Sequence, residues 1–265
     1  MFDAYIARWQ LTPDGAPIVT PTSRLLPVRF EDKPAMLKIA LEAEEQHGNA
    51  VMRWWDGNGA ARVLAHAGEA LLLERATSPA SLAALARGGN DDEACRILCH
   101  TAAHLHRPTS RPLPPLVSLT QWFQDLAPAA AAHGGILALC SATAQSLLAR
   151  PQDVAVLHGD IHHGNVLHFG ARGWLAIDPK GLWGERGFDY ANIFLNPDCE
   201  TATSAGRLAR RAALVAHAAG LERKRLLQWV LAWSGLSAAW LLAEGTAPEQ
   251  QLSIASAAAA ALQSL

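Results

Sequence analysis

Short runs of alternating apolar and polar positions open the chain, and near residue 76 they give way to Ala- and Leu-rich stretches with helical period. Leu25–Phe30 and Ala35–Ile39 read as β-strands joined through Glu31-Asp32-Lys33-Pro34, with Pro27 placing the first at a sheet edge. From Leu41 to Trp55 the period becomes helical and stops at Asp56-Gly57-Asn58-Gly59. Two more strand-like runs follow, Ala61–Ala65 and Ala70–Leu73. Beyond Ala76 the helical pattern is broken by Pro108, Pro112, Pro114 and Pro115, and by a β-like island at Val154–Asp178. The expected architecture is α+β: a small β-sheet lobe with one helix over residues 1–75, then a larger, mainly helical lobe over 76–265.

Composition narrows the function classes. The 265 residues are 50% hydrophobic and 17% charged, enough apolar material for a sizeable core. A formal net charge of -2 leaves no excess of cations for nucleic acid or an anionic membrane surface. Leu226–Ala243 is the most membrane-like segment, but Gln228, Ser234, Gly235 and Ser237 interrupt it, and it reads as a buried core helix. Four cysteines and an N-terminus without a signal pattern predict no disulfide framework and a cytoplasmic protein.

Chemistry concentrates in His158-Gly-Asp-Ile-His-His-Gly-Asn165, an Asp followed five residues later by an Asn, after the apolar lead Val154–Leu157. That is the spacing of a kinase catalytic loop, with Asp160 as the candidate base and Asn165 as an oxygen ligand for Mg²⁺. The β-like runs Asn165–Phe169 and Trp174–Asp178 flank Gly170-Ala171-Arg172-Gly173, which reads as a four-residue hairpin loop. Such a loop sets Asn165 opposite Asp178, at about 4.5–5.5 Å between Cα atoms, where the two side chains would share one Mg²⁺.

Lysines are few: Lys33, Lys38, Lys180 and Lys224. Lys38 lies in an otherwise apolar strand, where a charge needs a partner. Leu41, Glu45, Gly48, Met52 and Trp55 form an inward helical stripe that offers Glu45, with Glu44 as a substitute; Glu42, Gln46, Asn49 and Arg53 fall on the wet face. Thr20-Pro-Thr-Ser-Arg24 stands where a Gly-rich phosphate loop would precede the hairpin, and contains no glycine. Leu71–Arg75, with Glu74 and Arg75 at its end, is the candidate hinge for adenine.

At these residues the chain resembles the aminoglycoside phosphotransferase family, on its streptomycin 6-phosphotransferase side. The resemblance is carried by Glu45-Gln-His-Gly48, Trp54-Trp-Asp-Gly57, Leu71-Leu-Leu-Glu-Arg75, His158–Asn165, Gly173-Trp-Leu-Ala-Ile-Asp-Pro-Lys-Gly181, Gly187-Phe-Asp-Tyr-Ala191 and Leu236-Ser-Ala-Ala-Trp240. It implies a two-lobed protein-kinase-like fold, ATP and Mg²⁺ as cofactors, and transfer of the γ-phosphate to a streptidine hydroxyl of streptomycin, with antibiotic resistance as the outcome. It also implies Asp160 as base, Asn165 and Asp178 as Mg²⁺ ligands, and Lys38 with Glu45 as the phosphate pair. Asp178-Pro179-Lys180 replaces the protein-kinase Asp-Phe-Gly, so no Phe-driven switch is expected. Streptomycin carries two guanidinium groups, which calls for carboxylates. Glu185, Asp189, Asp198 and Glu200 are the candidates, with Asp189 read first as a support for the catalytic loop.

Three other readings stay open: a kinase for another small hydroxylated or amino-bearing compound, a nucleotide-binding pseudokinase, and metal sites at Cys95/Cys99/His100/His104 or His158/His162/His163. Buried cysteines in an Ala-rich helix are more often small hydrophobes than ligands, and the Asp160/Asn165/Asp178 spacing favours the kinase.

Overall fold

The computed structural model describes residues 1–265, the side chain of Ala43 excepted. The first part holds helix α1 (Asp3–Trp9), strands β1 (Thr12–Pro13), β2 (Ile18–Val19), β3 (Ser23–Phe30) and β4 (Lys33–Ala40), helix α2 (Ala43–Trp55), and strands β5 (Val63–Ala67) and β6 (Ala70–Glu74). These strands form one six-stranded antiparallel sheet in the order β1-β3-β4-β6-β5, with β2 also on β3.

Pro27 therefore lies inside the sheet, not at its edge. It falls between the stretches of β3 that pair with β2 (Arg24, Leu25) and with β1 (Val28, Arg29), so its missing N–H deprives no ladder of a donor. Glu31 and Asp32, at φ of 47° and 58°, make the tight connection to β4.

Period-2 alternation divides β4 and β6. Ala35, Leu37 and Ile39 join Ala70 and Leu72 in a small core that α1 covers with Phe2, Tyr5, Ile6 and Trp9. Met36, Lys38, Leu71 and Leu73 line a cavity on the opposite side. α2 follows its expected stripe, with Glu45, Gly48, Met52 and Trp55 all buried. Asn49, expected on the wet face, is buried too, because its Nδ2 donates to the Glu69 carbonyl at 3.2 Å.

The second part contains α3 (Leu82–Leu85), α4 (Asp91–Leu105), β7 (Val117–Ser118), α5 (Leu119–Trp122), α6 (Leu126–His133), α7 (Gly135–Ala149), β8 (Val154–Leu157), β9 (Val166–His168), β10 (Trp174–Ala176), β11 (Leu182–Glu185), α8 (Cys199–Ala202), α9 (Arg207–Ala219), α10 (Arg223–Ala243) and α11 (Glu249–Gln263). α10 is long and apolar enough to cross a membrane, but 67% of its apolar window is buried within the protein, between α7 and α11. The main core runs continuously from α2 (Val51, Met52, Trp55) into this part.

Backbone contacts are among those that join the parts. Gly59–Ala61, just after α2, hydrogen-bonds to Ala176 of β10, with Ala61 N to Ala176 O at 2.9 Å and Ala176 N to Gly59 O at 3.0 Å. Gly48 packs directly on the Pro179 carbonyl, leaving no space for a Cβ, and Gly181 packs likewise on the His47 carbonyl group.

Candidate active site

β8 delivers His158-Gly159-Asp160 to the floor between the two parts. Asp189, in the turn after β11, accepts the backbone N–H of His158 at 2.8 Å and of Gly159 at 2.6 Å, and His106 Nε2 lies 2.8 Å away. Burial opposes its charge, yet the hydrogen bond to His106 and the backbone donors hold the carboxyl below the usual range. Gly159 sits at φ +84° against Leu182, where a side chain would collide. The His158 ring accepts Asp160 N–H on Nδ1 (3.2 Å), so Nε2 donates to Ile177 O (2.8 Å). It stacks on Trp55, and burial pushes its pKa down, keeping it neutral.

Asp160 is held on both oxygens. Asn165 Nδ2 donates to Oδ2 at 3.0 Å and to the Asp160 carbonyl at 3.0 Å, while Asn192 Nδ2 donates to Oδ1 at 2.7 Å. Trp233 Nε1 (3.0 Å) and Asn196 Nδ2 (3.2 Å) both donate to Asn192 Oδ1, which leaves the Asn192 amide nitrogen for Asp160. His162 Nε2 is 3.6 Å from Asp160 Oδ2.

Lys38 ion-pairs with Glu45 and with Asp178. Both Lys38 and Glu45 are about 95% buried, so each charge depends on its partners: Lys38 on Glu45 and Asp178, Glu45 on Lys38 and, at 3.7 Å, on Lys180. Thr22 and Ser23 hydroxyls donate to Glu45 at 3.1 Å each, so the glycine-free segment leading into β3 braces this carboxylate. Glu44, the substitute partner, instead takes Lys180 at 2.7 Å. Burial works against the Lys180 charge, but Glu44, and after it Glu45 and Asp160, hold its pKa above the ordinary value.

The β9–β10 hairpin corrects one expectation. Val166 pairs with Ala176 and His168 with Trp174, so Asn165 faces Ile177, whose N–H donates to Asn165 O at 2.9 Å. Asp178 lies one position further on. The 3₁₀ turn Gly170–Arg172 takes Phe169 and Gly173 into the connection, and the longer loop shifts the register by one residue. Asp178 then leaves the strand at φ +61°, with its Oδ1 on Lys38. Burial opposes its charge, but Lys38 and then Lys180 hold its carboxyl below the usual range.

The donors still suit Mg²⁺. Asn165 spends its amide nitrogen on Asp160, leaving its oxygen as the outward donor, and Asp178 Oδ2 has no hydrogen bond among the described residues. No group of three or more His, Cys, Asp or Glu side chains forms a metal cluster among the described residues. Cys95 and Cys99 are buried in α4, and His104 bonds Asn58 at 2.8 Å.

Two cavities flank this constellation. One, of about 360 Å³, lies under the sheet, walled by Leu25, Met36, Leu71 and Leu73 above and Leu167, Phe169 and Ile177 below, with Lys38, Glu45 and Asp178 at its inner end. Glu74 and Arg75 line it, but their amides are committed to the carbonyls of Arg62 and Pro34, and their side chains to Arg172 and Asp14. Ala76, beside them, donates its N–H to no backbone group among the described residues. The other cavity, of about 630 Å³, is lined by Asp160, Glu44, Asp125, Trp122, Trp233 and Trp240. Lys180 lines both.

None of the four carboxylates expected to meet the acceptor lines the larger cavity. Glu185 is buried under Arg225, Trp229 Nε1 and the Gln152 amide; Asp189 carries the catalytic loop; Asp198 caps α8 and meets Arg87; Glu200 belongs to the first turn of α8. Their nearness to the hairpin in sequence is not nearness in space. Besides Asp160, the carboxylates on its wall are Glu44, brought in by α2, and Asp125, in the turn after α5. Only Glu44 stood near a recognised motif.

Residues 8–245 match the family described as Aminoglycoside/hydroxyurea antibiotic resistance kinase. The chain is 54% identical over 243 residues to a streptomycin 3''-kinase of Klebsiella pneumoniae (90% of this chain, 91% of that one). It is 31% identical to a streptomycin 6-kinase of Streptomyces glaucescens (93% and 84%). Among solved structures, a choline kinase from Streptococcus pneumoniae superposes with a TM-score of 0.66 at 10% identity, covering 100% of this chain and 98% of that one, a likeness of fold alone. With a kinase-type catalytic loop and a lysine–glutamate pair set in a protein-kinase-like fold, the chain belongs to the aminoglycoside/hydroxyurea antibiotic resistance kinase family.

Proposed function

We propose that the protein transfers the γ-phosphate of ATP to a hydroxyl of streptomycin. The observation that carries this reading is the pair of cavities that share Lys180, one lined by Lys38 and Asp178 and the other by Asp160. The purine fits the apolar slot beneath the sheet, with the Ala76 N–H as its free backbone donor. Lys38 meets the phosphates, and Lys180, kept protonated by Glu44, stands where the phosphoryl group must cross. Mg²⁺ held through Asn165 and Asp178 would screen the phosphate charge. Asp160, fixed by Asn165 and Asn192, orients the acceptor hydroxyl and takes its proton.

The family resemblance in the sequence implied the 6-hydroxyl of the streptidine ring. Identity supports another position, since the 54% relative is a 3''-kinase whereas the 6-kinase stands at 31%. We therefore assign the 3''-hydroxyl, on the amino-sugar ring. The purified protein with Mg²⁺-ATP and streptomycin should release ADP, and phosphorus–proton NMR of the product should show coupling to H3''. Coupling to H6 would restore the first assignment. Release of ADP with hydroxyurea or another acceptor, and none with streptomycin, would replace the substrate. Nucleotide binding without turnover on any acceptor would mark a pseudokinase.

A further inference from the structure

The larger cavity holds an aromatic corner. Trp122 and Trp233 each meet Trp240 nearly at right angles, at 82° and 77°, with centroids 5.3 and 5.6 Å apart. Trp240 Nε1 donates to Asp125 Oδ2 at 3.0 Å, which fixes the exposed carboxylate beside the rings and leaves Oδ1 with no hydrogen bond among the described residues. Lys180, the one lysine or arginine on the cavity wall, is already matched by Glu44. The wall therefore combines aromatic surface with unspent negative charge.

A guanidinium is the cation that suits such a surface. It is planar and weakly hydrated, stacks on an indole face, and presents paired N–H groups to a carboxylate. We propose that Asp125 and Trp240, with Trp122, form a guanidinium subsite that grips the streptidine ring of the acceptor and sets substrate preference. The proposal rests on the streptomycin reading and adds to it the residues that recognise the cation. Asp125 acts on binding and stands outside phosphoryl transfer.

The probe is streptidine, the bis-guanidinium ring alone, titrated calorimetrically into wild type, Asp125→Asn and Trp240→Leu. Asn keeps an acceptor for Trp240 Nε1 and removes only the charge. Streptidine should bind wild type and lose about ten-fold or more in affinity in both variants, as expected for a charge-assisted hydrogen bond or a stacking face. The KM for streptomycin should rise in parallel, with kcat and the KM for ATP near wild type. Wild-type affinity for streptidine in Asp125→Asn, or no streptidine binding to wild type, overturns the subsite. Absence of streptomycin turnover by wild type overturns the proposed substrate instead, and the streptidine titration still decides the subsite.

Discussion

Asn192 donates its amide to one carboxylate oxygen of Asp160 at 2.7 Å. With Asn165 on the other oxygen, the carboxylate is held in a single orientation. Asp160→Asn is expected to lower kcat by at least ~10², the contribution of a positioned base, with ATP affinity retained. Near-native turnover would remove Asp160 from its role. Asn192→Leu should cost about ten-fold in kcat, one lost orienting hydrogen bond to a charged group, and leave the KM for ATP unchanged.

Asp178 has one oxygen on Lys38 and the other open. Asp178→Ala should abolish Mg²⁺-dependent turnover while leaving the Lys38–Glu45 pair to keep the fold. Titrating Mg²⁺ at fixed ATP tests this; unchanged metal dependence would contradict the assignment of Asp178 as a ligand.

Behind the catalytic loop, Asp91 takes Arg207 through two hydrogen bonds of 3.0 Å and also pairs with Arg211. All three are buried. Asp91→Ala leaves two buried guanidinium groups without their carboxylate and should cost about 3–5 kcal/mol. In a chain of this size that corresponds to a fall in Tm on the order of 10 °C, read by thermal unfolding.

His163 is buried with neither ring nitrogen partnered among the described residues, and burial, then Arg211 and Arg207, push its pKa down to about 3. The unfolded chain protonates this residue near pH 6.5 and the folded one does not. The unfolded state therefore binds more protons between those values, and stability falls as pH falls through that window. The expected loss is about 1.4 kcal/mol per pH unit below about pH 6. His163→Phe should flatten the dependence between about pH 6 and 4.5 in denaturant melts. An unchanged slope would show that His163 does not set it.

Much of this was readable in the residues. The Lys38–Glu45 pair follows from an apolar strand with one lysine and a helix stripe with one inward acid, and both patterns are local. The two-part α+β organisation followed from the change of period near residue 76. The hairpin register did not, because a 3₁₀ turn through Gly170–Arg172 has no signature that separates a four-residue loop from a longer one. Helix α1 has too short a stripe to register. The wall of the larger cavity was illegible for a different reason. Asp125, Trp240 and Glu44 lie far apart in the chain and meet only through the packing of α2, α5 and α10, whereas Glu185 and Asp198 sit near the catalytic hairpin in sequence and spend their charge on Arg225 and Arg87.

The missing side chain at residue 48 reaches beyond packing. Because α2 lies directly on the Pro179 carbonyl, it cannot roll away without opening the backbone contact that carries Lys38, Glu45 and Asp178 together. A methyl group at this position would lift the helix off the loop and draw Glu45 and Asp178 apart around Lys38.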